Sequence, residues 1–127
     1  MQGKHLFEYA VIRVMPRVER EEFLNVGIIL YCKKEKFLQC RYQLDEERLR
    51  TFCPQTDIAE ITDHLRAIER ICAGNTESGP IGRLDMPSRF RWLTASRSTV
   101  VQTSKVHPGF CTDLQETVDK LYAQLVL

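Results

Sequence analysis

No apolar run in this sequence is long enough to cross a bilayer. The longest that matters, Val26 to Cys32, is seven residues with one glycine, where about 20 are needed. The opening stretch MQGKHLFEYA has no apolar segment followed by a small-residue cleavage site, so no secretory leader is expected and a cytoplasmic location is. CxxC pairs are also missing. The five cysteines, at 32, 40, 53, 72 and 111, are odd in number and widely spaced, which suits neither a disulfide framework nor a zinc site. Reduced, mostly buried thiols are the expectation, with Cys72 buried and Cys111 the more accessible. Familiar site motifs are lacking too. GPIGRL (79–84) has two glycines but neither the spacing nor the lysine of a phosphate loop, and the GxGxxG, HExxH, GxSxG and EF-hand patterns do not occur. The nucleotide, metalloprotease, hydrolase and calcium readings that those motifs support fall away, and no metal or cofactor is expected.

Charge of one sign is scarce as well. The net charge is +1, which predicts no bulk attraction to nucleic acid or to a membrane surface. Its distribution is uneven: residues 1–80 sum to −1, residues 81–110 to +4 and residues 111–127 to −2. Twelve of the eighteen cations are arginine, the side chain suited to bidentate contact with carboxylate or phosphate.

What is present describes an ordinary soluble chain. Apolar residues make up 43% and charged residues 28% of 127 residues, enough for one core and the length of one domain, 1–127. FEYAVIRV (7–14) is apolar on both alternating faces and reads as a central strand ended by Pro16. LNVGIILYC (24–32) places Leu24, Val26, Ile28, Leu30 and Cys32 on one face, with Gly27 marking a bulge or a close backbone approach. A charged turn over Lys33 to Lys36 leads into FLQCRY (37–42), the second arm of a hairpin. Asp45 caps a short helix that Pro54 stops. Asp57, with Glu60 three residues on, forms a capping box for a longer helix, Ile58, Ile61, Leu65, Ile68 and Cys72 line one face, and Gly74 ends it. Residues 74–88 read as a loop. RFRWLT (89–94) and STVVQTS (98–104) read as a second hairpin around Ala95-Ser96-Arg97. Thr112 or Asp113 caps a last helix with Leu114, Val118, Leu121 and Leu125 on one face. The fold class expected is α+β, with a mainly antiparallel sheet of about five strands (two hairpins and a central N-terminal strand), two main helices and one short one.

Three blocks of the chain, YAVIRVMPRVEREEFLNVGIILYC, GPIGRL and RFRWLTASRSTVVQTSKVHPGFCTD, resemble in order the bacterial family called domain of unknown function 3037. The resemblance implies a small cytoplasmic bacterial protein from gene neighbourhoods that also encode HipA-like kinases. It implies no activity and brings no catalytic residues with it.

The chemistry-bearing residues are therefore weighed on their own. If 89–94 is a strand, Phe90 and Trp92 share one face and enter the core, while Arg89 and Arg91 project together from the other. Arg97 at the turn and hydroxyls such as that of Thr99 add donors, a set that suits a phosphate, a carboxylate ligand or an acidic partner surface. A solvated hairpin face is the competing explanation. Arg13 is a lone cation in an apolar strand and needs a partner or a ligand. In RVMPRVEREEF (13–23), the adjacent Glu21 and Glu22 diverge in a helical turn, so a short charged connecting helix with local ion pairs explains them better than a carboxylate pair. His107 and Cys111 raise a base–thiol pair, for which no orienting residue is evident; a turn before a capped helix is the plainer reading. RFRW beside basic groups hints at single-stranded nucleic acid, but one such unit at this net charge does not support it. Two functions remain. The first is a non-catalytic binding or regulatory module that contacts a protein partner, a HipA-like kinase among the candidates, through a basic strand face. The alternative is a small enzyme or ligand-binding protein for a phosphorylated or nucleotide-like molecule, held by Arg13, Arg89, Arg91 and Arg97.

Overall fold

The computed structural model describes residues 4–74, 79–95, 97 and 99–127. Strand β1 (His5–Val14) is flanked on both sides. On one side it pairs antiparallel with β2 (Leu24–Cys32), which pairs with β3 (Phe37–Tyr42). On the other it pairs with β4 (Val101–Thr103) through Ile12–Val14 and with β5 (His107–Cys111) through His5–Tyr9. The result is an antiparallel sheet of five strands. The fold is α+β, as expected, with helices on both faces of the sheet.

One face is covered by α1 (Glu46–Phe52), α2 (Ile58–Ala73) and α4 (Met86–Leu93), with the one-turn α3 (Gly79–Gly82) between the last two. Ile12, Val14, Ile29 and Tyr31 of the sheet meet Leu49, Ile61, Leu65 and Phe90 there. The other face is covered by α5 (Leu114–Leu125), whose Leu114, Val118 and Tyr122 pack on Phe7, Ile28, Leu30 and Cys32. Both faces of β2 are thus buried, which is why its run is continuously apolar. Asp45, Asp57 and Asp113 each accept a backbone N–H three residues on, at 3.0, 3.1 and 3.0 Å, and start the helices assigned to them. Gly74 ends α2 at φ 71°, in the left-handed region. Cys72 is buried and Cys111 half-buried, in the order expected.

The face assigned to β2 needs one correction. Ile12 pairs with Gly27 but Arg13 pairs with Asn25, which leaves Val26 as the extra residue of a bulge. The bulge turns Leu24 and Val26 toward α2, while Ile28, Leu30 and Cys32 face α5. Gly27 sits where a Cβ would come within 2.6 Å of the Arg41 carbonyl oxygen, so the close approach read from the sequence is real.

The larger correction concerns 86–104. RFRWLT belongs to α4, not to a strand, and no second hairpin forms from it. The physical reason lies just upstream. Asp85 accepts the Ser88 N–H at 2.9 Å and caps a helix with proline in its first turn. Met86, Phe90 and Leu93 then fall at i, i+4 and i+7 and line its inner face. Phe90 is buried, stacked on Tyr31 with ring centroids 4.9 Å apart, but Trp92 is 39% exposed and not in the core. Of the loop expected over 74–88, residues 79–82 and 86–88 are helical, and 75–78 lie outside the described residues; so do Ser96 and Ser98 of the expected turn.

A second strand was hidden at 107–111, read from the sequence as a turn. It continues the edge begun by β4, and Ser104 joins the two. The Ser104 N–H donates to the Val11 carbonyl at 2.8 Å, and its Oγ accepts the Val11 N–H at 2.8 Å. The side-chain oxygen thus stands in for a backbone carbonyl where the ladder is interrupted, keeping a buried amide satisfied.

Candidate functional site

Three of the arginines proposed from the sequence, Arg13, Arg89 and Arg97, are held by separate partners. Arg89 is buried. Its Nη1 donates to the carbonyls of Ile71 at 2.7 Å and Cys72 at 2.9 Å, and its Nε to that of Leu84 at 3.1 Å. It caps the C-terminus of α2, where unpaired carbonyls and the helix dipole favour a cation. Arg13 lies over the Phe23 ring, 4.1 Å from its centroid, and its Nε is buried without a hydrogen-bond partner among the described residues. Arg97 lies over the Trp92 ring at 4.0 Å and donates to the Trp92 carbonyl. Thr99 is exposed and donates to the Val101 carbonyl at 2.7 Å, closing a local turn. Of the five residues, Arg91 alone lines one of the clefts described below.

That cleft, of about 540 Å³, lies between α4 and the end of the sheet where β1 and β2 meet. Glu8, at the rim, is directly cross-strand from Tyr31 on its floor. Lys33 follows β2 at one rim, while α4 and its cap supply Asp85, Pro87, Ser88, Arg91 and Thr94, with Phe90 and Val106 completing the lining. Two acidic and two basic side chains therefore ring a partly apolar floor. Burial pushes the Tyr31 hydroxyl up from its ordinary value, and Glu8 adds to this, so it stays protonated as a donor at neutral pH. Hydrogen bonds from Ser88 hold the Asp85 carboxyl below the usual carboxylate range. Leu6 and Phe110, paired across β1 and β5, are 56% and 70% exposed at this end of the sheet.

A smaller cavity of about 160 Å³ lies between Pro16–Glu22 and Phe52–Pro54. Arg20 is ion-paired with Glu22 there, and Arg17 donates to Gln55 at 3.2 Å. The charged connection read from the sequence is a single 3-10 turn, Val18–Arg20. Hydrogen bonds from Thr56 and the Gln55 N–H lower the Cys53 thiol. The base–thiol pair fails on geometry. His107 and Cys111 are at opposite ends of extended β5, about 13 Å apart at strand spacing, and the His107 ring lies 5.4 Å from that of Tyr9. Among the described residues, no three His, Cys, Asp or Glu side chains group as metal ligands, and no helix is long and apolar enough to cross a membrane.

Reasoning from sequence missed Glu8, Tyr31, Lys33 and Asp85. Asp85 carried the one available signal, as a cap residue three positions before Ser88.

The fold defines the class: an antiparallel five-stranded α+β protein with helices on both faces and a charged cleft at one end. A family model described as protein of unknown function (DUF3037) matches residues 9–126, nearly the whole chain, and the chain belongs to that family. No curated protein and no solved structure matches it.

Proposed function

We propose that the protein is a non-catalytic binding or regulatory module that contacts a protein partner through the cleft between α4 and the sheet. In this reading it works in the bacterial cytoplasm, and a HipA-like kinase, suggested by the family resemblance, is the first partner to test. The observation that carries the reading is the ring of Glu8, Asp85, Lys33 and Arg91 around a floor containing Tyr31 and Phe90. Opposite charges around an aromatic floor suit a peptide segment bearing both signs. A phosphate would call for concentrated positive charge instead. An arginine beside aromatic and exposed aliphatic side chains is also the composition of an interface anchor. Neither Tyr31, raised by burial, nor Asp85, lowered by Ser88, is tuned toward neutral pH for proton transfer.

The test is affinity capture with the full chain, followed by binding measurements on the purified partner. Arg91→Glu and Glu8→Lys, both at exposed positions, are expected to weaken the complex at least about tenfold, less so at high salt as the charges are screened. A complex indifferent to both reversals would remove the cleft from the interface. The alternative, a protein for phosphorylated or nucleotide-like molecules, predicts stabilisation by such a ligand, about 2.7 kcal/mol at 100 times its Kd. A nucleotide and phosphosugar panel that gives no thermal shift would set it aside.

A further inference from the structure

Two of the cysteines occupy facing elements. Cys40 is on β3, half-buried and packed against the cluster that contains Cys72, which is buried near the end of α2. A second pair fixes how these elements lie: the Tyr42 hydroxyl donates to Glu69 Oε1 at 3.3 Å. From Tyr42 to Cys40 is two strand residues, about 6.7 Å on the same face, and from Glu69 to Cys72 is about 4.5 Å, close to one helical turn. One antiparallel alignment of β3 and α2 therefore sets Cys40 toward Cys72 as it sets Tyr42 toward Glu69, and Cys40 is the neighbour that most perturbs the Cys72 thiol.

We propose that Cys40 and Cys72 form an oxidisable dithiol, a site of reversible disulfide formation driven by a hydroperoxide. Cys40, the accessible member, reacts first. Its sulfur attacks one peroxide oxygen, the O–O bond breaks, and a sulfenic acid and water (alcohol, for an alkyl hydroperoxide) result. The Cys72 sulfur then attacks the sulfenic sulfur, the S–O bond breaks, and the oxygen leaves as water with the Cys72 proton. Two thiols are oxidised to one disulfide, and one hydrogen peroxide is reduced to two waters. Cys40 and burial hold the Cys72 thiol above its ordinary pKa, so it is a poor target for outside reagents, and its attack on the sulfenic sulfur is coupled to the passage of its proton to the departing oxygen. The disulfide would fasten β3 to the last turn of α2, whose carbonyls Arg89 of α4 holds.

The full chain, reduced and then treated with one equivalent of hydrogen peroxide, is alkylated with N-ethylmaleimide in denaturant and mapped by mass spectrometry. The expected product joins the Cys40 and Cys72 peptides, leaves Cys32, Cys53 and Cys111 alkylated, and reverts with dithiothreitol. The oxidised protein should melt roughly 5–10 °C higher than the reduced one. Cys40→Ser should abolish both the cross-link and the rise, with its reduced melting temperature close to that of the parent; Cys40→Ala repeats the control without a hydroxyl. Sulfinic acid at Cys40 without a cross-link, a cross-link through another cysteine, or the same rise in Cys40→Ser would overturn the proposal.

Discussion

Arg89 and Arg91 are two positions apart in the sequence and do unrelated work. Two residues along a helix amount to about 200° of rotation, so one side chain points inward and the other outward. Arg89 is 8% exposed and donates to three backbone carbonyls, two of them in the last turn of α2. Gly74 belongs to the same device. A Cβ there would come within 2.7 Å of Arg89 Nη1, so the glycine gives the guanidinium room as well as adopting a positive φ. Arg89→Ala should therefore cost roughly 3 kcal/mol, because three charge-assisted hydrogen bonds are lost and the Cys72 carbonyl loses its donor, while that of Ile71 keeps the Gly74 N–H. Arg91→Ala should change stability by less than about 0.5 kcal/mol, as an exposed substitution. Urea unfolding of both variants decides between this and the strand arrangement, in which they would behave alike. Equal midpoints would mean that Arg89 is not the cap of α2.

The elements with complete local signals were legible in the sequence. β1, β2 and β3 have alternation or unbroken apolar runs, and α1, α2 and α5 have an Asp cap ahead of a helical stripe. Helix α4 was not, because RFRW over four residues satisfies a period of two. Its capping Asp85 and Pro87 fell in a stretch already assigned to a loop. Strand β5 was hidden for a different reason: His-Pro-Gly favours a turn locally, and pairing with β1 overrides that preference. The cleft could not be read because Glu8, Tyr31, Lys33 and Arg91 are joined only by sheet register and helix docking. The capping carboxylate of α4 offers a test at this scale. Its folded pKa is depressed, so its contribution to stability is complete above the ordinary carboxylate range. That contribution is lost as pH falls through the depressed value. Asp85→Asn keeps the cap without the titration. The stability advantage of the parent over Asp85→Asn should therefore shrink between about pH 5 and about pH 2. A difference independent of pH would show that the carboxylate charge contributes nothing to α4.

At the scale of the whole molecule, the two sides of β1 are unequal. Toward β2 it has one continuous partner, and Ile12, Ile28, Ile29 and Leu30 are fully buried between helices on both faces. On the opposite side the partner is broken into three-residue β4 and five-residue β5, joined through Ser104. β5 is an edge strand with Pro108 inside it and Phe110 70% exposed. Proline removes one donor and blunts the free edge against further pairing. Opening β5 uncovers the rings of Phe7 and Tyr9 on one side of the sheet, whereas parting β1 from β2 would open both cores. Native-state hydrogen exchange should divide accordingly. The amides of Ile28 to Leu30 and of Ala10 and Ile12 should exchange only on global unfolding, and those of β5 should exchange roughly 100-fold faster through local opening. Raising denaturant should speed the first set with the full unfolding slope and leave the β5 amides almost unchanged at low concentrations. If β5 follows the global slope, it is an integral part of the cooperative core. Leu6 and Phe110 would then be a fixed surface beside the cleft, whereas the expected result makes them a surface that a docked partner could order.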